Sequence, residues 1–177
     1  MRFCWIIKIK VYVNTNGIYL LILNGGIMEN TATMTYTAEL AEQIYKNMKM
    51  GADSIVNLLP KVEDGKLKTH MTGLLDSYEK YAADAKKVLD SEGIEAKEEN
   101  MMTKMGAKMG MAMKTMVDST TSHIAELLME GAVMGICEMT RLAQRYEDTD
   151  CNSGLVVRAR EIVAFEEQNL ETAKAYL

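Results

Sequence analysis

The chain of 177 residues carries a single proline, and aromatic residues are only 6% of it, with one tryptophan. Scarcity of the strongest helix breaker leaves long uninterrupted helices open and argues against a many-stranded sheet. Cysteine is equally sparse. Cys4, Cys137 and Cys151 form no CxxC pair and no metal-ligand spacing, so they read as free thiols of a reducing compartment. There are two histidines, His70 and His123, and no Ser–His–Asp or Cys–His pattern or glycine-rich phosphate loop accompanies them. Positive charge is in deficit: 20 Lys and Arg face 25 Asp and Glu, a formal net charge of −5. A basic face of the size nucleic acid requires is therefore excluded.

What the chain has in quantity is apolar residues (48%), among them 16 methionines. The length predicts one domain, with enough apolar material for a proper core. It also contains an internal echo. Residues 40–64 laid on residues 124–148, 84 positions on, give seven identities without a gap: Ala41/Ala125, Glu42/Glu126, Met50/Met134, Gly51/Gly135, Leu58/Leu142, Glu63/Glu147 and Asp64/Asp148. Leu40/Ile124, Ile44/Leu128 and Ile55/Met139 keep apolar character. Two copies of one helical hairpin, packed as a pseudo-symmetric antiparallel four-helix bundle, are the predicted architecture.

Residues 1–27 differ from the rest: they hold Trp5 and no acidic residue. Three readings stand side by side. A signal or membrane anchor is opposed by Lys8 and Lys10 inside the apolar run and by the break at Asn14–Gly17. A β-hairpin is suggested by Asn16-Gly17 between two strand-like runs, although a lone hairpin is marginal. The third reading places the translation start at Met28, because adjacent glycine codons at Gly25-Gly26 can spell a ribosome-binding site. An intact mass that includes Trp5 eliminates the third. Loss of Arg2, Lys8 and Lys10 takes the net charge from −5 to −8 and leaves a soluble, acidic, cytoplasmic protein without membrane contact.

Helical periodicity then predicts helices over about 37–59, 66–91, 101–116, 120–146 and 153–176. Leu40, Ile44, Met48, Gly51, Ile55, Leu58 and Val62 share one face of the first, which Pro60 ends. Leu67, Met71, Leu74, Tyr78, Ala82, Ala85 and Leu89 line the second, with Gly93 as its C′ residue. Asn152 or Ser153 caps the last, whose seam of Leu155, Ala159, Ile162, Leu170 and Ala173 includes one carboxylate, Glu166. The long connection between the second and fourth of these carries Met102, Met105, Met109, Met113 and Met116 on one face and Lys104, Lys108 and Lys114 off it. One long crossover in a four-helix bundle is the ferritin-like topology.

Four stretches carry a resemblance: Lys49-Met50-Gly51-Ala52-Asp53-Ser54-Ile55, Leu58-Leu59-Pro60-Lys61, Ser122-His123-Ile124-Ala125-Glu126 and Phe165-Glu166-Glu167-Gln168-Asn169-Leu170. From about Tyr36 to Leu177 the chain is similar to the ferritin-like superfamily, and more narrowly to its small bacterial members of unknown function. Metal-binding members carry Glu on two helices and Glu-x-x-His on the other two. Here Glu79 is followed three on by Ala82, and Glu166 by Asn169, so both histidines are missing. The two glutamates match if the second connection is three residues longer than the first. Glu42 and Glu126 fall opposite the apolar stripes, facing water, whereas Glu138 lies nearer the core.

The expectation is a non-enzymatic bundle that has lost its metal site and acts through its surface, as a homodimer or with a partner protein. Residues 101–116 are the expected contact face. The alternative is an iron or manganese site of Glu79, Glu138 and Glu166 with oxidase or storage chemistry. Against it stands a plainer role for Glu166, bonded to Asn169 or to Tyr78 or Tyr81. A further alternative is Cu(I) held by the methionine thioethers. His123 reads as structural beside Glu126, and His70 as solvated.

Overall fold

The computed structural model of the protein describes residues 10–14, 17–21, 35–96 and 118–177. The chain forms two compact units, Met1–Thr35 and Tyr36–Leu177. In the first, β1 (Lys10–Asn14) and β2 (Gly17–Leu21) pair antiparallel, from Lys10 opposite Leu21 to Asn14 opposite Gly17. Of the three readings of this segment, the ladder is that of the hairpin. Gly17 belongs to the ladder rather than to the turn.

Every regular element described in the second unit is helical: α1 (Tyr36–Leu58), a 3₁₀ turn (Leu59–Lys61), α2 (Gly65–Ser91), α3 (Thr121–Tyr146) and α4 (Ser153–Lys174). The all-α bundle is therefore as expected. Residues 101–116, the expected fifth helix and methionine face, lie outside the described residues. Among the described residues no helix is long and apolar enough to cross a membrane.

Local chemistry sets each boundary. Pro60 lacks an N–H and disfavours helical backbone before it, so α1 gives way to the 3₁₀ turn. Asp64 caps α2 by accepting from the Leu67 N–H at 2.8 Å. Gly93, at φ +71°, closes α2 in a Schellman motif: the Ile94 N–H donates to the Leu89 carbonyl at 2.9 Å and the Gly93 N–H to that of Asp90 at 3.1 Å. Thr120 caps α3 through the His123 N–H, and Asn152 caps α4 through the Gly154 N–H.

Three contacts orient the helices. Tyr146 at the end of α3 donates to Glu39 at the start of α1, at 3.0 Å. His70 near the start of α2 meets Asn169 near the end of α4, and Arg158 near the start of α4 lies 3.8 Å from Asp84 in the last turns of α2. Hence α1 runs antiparallel to α3, and α2 to α4. Ser91 and Thr121 then stand at opposite ends of the bundle, about 40 Å apart for helices of this size.

Burial follows the periodic stripes, with one revealing offset. Leu40, Ala41, Ile44, Met48, Ile55, Leu58 and Val62 are buried, and so are the residues 84 further on, Ile124, Ala125, Leu128, Ala132, Met139, Leu142 and Tyr146. Between α2 and α4 the spacing is 88. Leu67, Met71, Leu74, Tyr78 and Ala85 are buried, as are Leu155, Ala159, Ile162, Glu166 and Ala173. The capping residues Asp64 and Asn152 keep the same interval. The second connection is therefore four residues longer than the first, not three. That pairs Glu166 with Tyr78 rather than with Glu79.

Candidate functional site

At mid-bundle the two hairpins meet around a polar pair. Glu166 of α4 is 2% exposed and Tyr78 of α2 is 6% exposed. The Tyr78 hydroxyl donates to both carboxylate oxygens of Glu166, at 2.9 and 3.0 Å. Asn169, one turn on from Glu166, donates its Nδ2 to Oε2 at the long limit of 3.5 Å. Its own Oδ1 lies 3.1 Å from His70 Nε2, the geometry of a ring N–H donating to the amide oxygen. The result is a chain of side chains, His70–Asn169–Glu166–Tyr78, that crosses from one hairpin to the other and back.

Two glycines make room for it. A Cβ on Gly51 would lie 2.6 Å from Tyr78 Cε1, and a Cβ on Gly135 would lie 2.8 Å from Glu166 Oε1. Each is a helix-interior glycine, which costs about 1 kcal/mol of helix propensity relative to alanine. The space gained admits a ring in one hairpin and a carboxyl group in the other. Phe165 then braces the tyrosine edge-on, ring centres 5.3 Å apart.

The electrostatics are unusual for a core. Both donors to Glu166 are neutral, and among the described residues it forms no ion pair. Burial outweighs the help of Tyr78 and Asn169 and pushes its carboxyl up to about 7 from an ordinary 4.5. Burial also drives the Tyr78 phenol well above its usual value, with the carboxylate charge beside it adding to the rise. The group thus exchanges its proton near neutral pH, in an apolar setting.

A half-open cavity of about 40 Å³ lies against this pair. Its walls are α1 and α3, with Asn47, Met50, Ser54, Gly131 and Met134 partly exposed around it, and its floor is Tyr78, Glu166 and Asn169.

The three carboxylates considered as metal ligands are not brought together. Glu79 is exposed, because one residue turns a helical side chain by about 100° and its neighbour Tyr78 takes the inward place. Glu138 sits at the surface edge of α3, gripped by Arg141, whose Nη2 is 2.6 Å from its Oε1. Only Glu166 faces the core. Among the described residues no three His, Cys, Asp or Glu side chains form a group fit for a metal ion. The plainer role for Glu166, bonded to Tyr78 and Asn169, is the one present. Copper ligation by the methionines of residues 101–116 falls outside the described residues.

The other named positions resolve individually. Glu126 is exposed and pairs with His123 at 3.2 Å, while Glu42 is half-buried with Lys46 at 2.8 Å. His70 is half-buried rather than simply solvated, since it meets buried Asn169. Its partner is 99 residues away, so no local signal points to it. The repeated glycines were the available signal: Gly51 and Gly135 are among the identities at spacing 84, and both mark the close approach. Comparison with family models, curated proteins and solved structures finds no match to this chain.

Proposed function

We propose that this chain is a non-enzymatic, ferritin-like helical bundle that works by self-association or by binding a partner protein. Its former ligand places are filled by the hydrogen-bonded Tyr78–Glu166 pair. The observation that carries this reading is the pair itself. At matched positions of the two hairpins stand a phenol and a carboxyl group that bond to each other, where a dinuclear centre would need several converging carboxylates and imidazoles. Matched burial at spacings 84 and 88, and the placement of Ser91 and Thr121 at opposite ends of the bundle, support the duplicated ferritin-like ancestry. The free thiols Cys137 and Cys151 support a cytoplasmic setting.

Self-association is assigned to the methionine face of residues 101–116, as a homodimer. Methionine makes adaptable apolar contacts, and five recur here at helical spacing. Two measurements test the proposal. Elemental analysis of protein purified without chelator or affinity metal is expected to find no stoichiometric iron, manganese or copper. One bound ion or more per chain would reinstate the metal-binding alternatives. In sedimentation, replacing Met102, Met105, Met109, Met113 and Met116 together by Gln should leave a folded monomer; a dimer that persists rejects the assigned face.

A further inference from the structure

Glu166 presents an acceptor that its own neighbours do not exhaust. A carboxylate offers roughly four lone-pair sites, and among the described residues only Tyr78 and Asn169 donate to that of Glu166. A buried anion balanced by neutral donors alone is costly, and an arriving cation relieves that cost. The same carboxylate forms the floor of the cavity between α1 and α3.

The lining determines which cation suits. No second carboxylate lines the cavity. A hard divalent ion, which asks for about six oxygen ligands with several of them anionic, is poorly served. The remaining polar atoms are neutral. Asn47 contributes an amide, and Ser54 spends its proton on the Met50 carbonyl at 2.8 Å, leaving its oxygen free to accept. Met50 and Met134, both half-buried, add polarisable apolar surface. A volume of about 40 Å³ holds only one or a few water-sized groups. An ammonium donates in three directions to one anion and to neutral oxygens, and a short alkyl chain suits thioethers.

We propose that the cavity between α1 and α3 binds the head of a protonated primary alkylamine, with Glu166 receiving the ammonium group and Met50 and Met134 flanking the alkyl chain. The site is independent of the bundle's ancestry and of its self-association. A metal-free monomer would carry it equally well.

Calorimetric titration of the full chain at about pH 8, where free alkylamines remain protonated, tests the site. The probes are n-butylamine, 1,4-diaminobutane and an acetylated lysine amide, with KCl and MgCl2 as competitors. Saturable binding of n-butylamine is expected, weakened about tenfold or more by Glu166→Gln and unchanged by Glu126→Gln. Gly131→Leu, which crowds the cavity without altering Glu166, should weaken it similarly and carries the test if the Gln variant does not fold. Binding of the lysine amide as well would make a partner's lysine a source of the same head group; binding of the free amines alone would assign a small molecule. Absence of saturable binding, indifference to both cavity variants, or equal competition by K+ or Mg2+ would overturn the proposal.

Discussion

The first hairpin fills the notch opposite its glycine with the ring of Tyr78, and the second fills the matching notch with the carboxyl of Glu166. The N-caps Asp64 and Asn152 and most of the buried stripe match in the two halves, so at mid-bundle the difference is what each glycine admits. A ring brings apolar area and one hydroxyl, whereas a carboxyl brings little area and a charge that burial penalises. The two solutions depend on each other, because among the described residues the only short hydrogen bonds to the carboxyl come from the Tyr78 hydroxyl. Among the described residues the buried polar side chains, Glu166 and Asn169, belong to the second hairpin, and the first supplies the groups that answer them, Tyr78 and His70. Asymmetry between the halves thus adds hydrogen bonds across the bundle to the apolar core they share.

The largest test of that asymmetry uses pH. Glu166 titrates near 7 in the folded chain and near 4.5 when unfolded, so the unfolded state releases its proton first as pH rises. Its contribution to stability is fully present below about 4.5 and is lost as pH climbs through about 7, a swing of up to ~3 kcal/mol. Urea unfolding of the wild type and of Glu166→Gln at pH 5 and pH 8 should therefore give a difference that shifts toward the Gln variant at the higher pH. A difference identical at both values would remove the buried charge from the comparison.

Next in size is Tyr78→Phe, which keeps the ring in its glycine notch but deletes the donor. We expect a loss of ~2 kcal/mol at pH 8, where the carboxylate is left with one weak partner, and a smaller loss at pH 5. Combined with Glu166→Gln, the two changes should be non-additive by ~1 kcal/mol, since they remove one shared bond. Strict additivity would mean that the hydroxyl and the carboxyl act separately.

The glycines sharpen the contrast further. Gly51→Ala drives a methyl group into a ring already braced by Phe165, and Gly135→Ala meets the tip of a side chain with more freedom to turn. Thermal unfolding should show ~2 kcal/mol of destabilisation for the first and ~1 kcal/mol for the second. Equal losses would show that the carboxyl is held as rigidly as the ring. The smallest effect belongs to the caps, where the halves agree: Asp64→Ala and Asn152→Ala should each cost ~1 kcal/mol in the same assay. A marked inequality there would extend the asymmetry beyond the notches.

Much of this was legible in the residues alone. The four helices of the second unit, the stop at Pro60, the C′ role of Gly93, the Asn152 cap and the core stripes all rest on short-range rules. Those rules act over one or two turns and need no partner. The pairing of Glu166 with Tyr78 or Asn169 was within reach because a lone carboxylate on an apolar seam must find a donor. The grouping of Glu79 with Glu166 was mistaken by a single position in the length of one connection.

That single position separates the two levels of information. Sequence by itself determined where helices begin, where they end and which stripe each buries, because hydrophobic spacing and capping chemistry are local. Only the tertiary structure decided the register of α2 against α4. With it came the choice of Tyr78 over Glu79 as the inward group, the contact of half-buried His70 with Asn169, and the cavity beside Glu166. The reason is rotational: each residue advances the helix by about 100°, so a slip of one between helices exchanges a core side chain for a surface one. Packing across the bundle selects between such registers, and spacing along the chain does not.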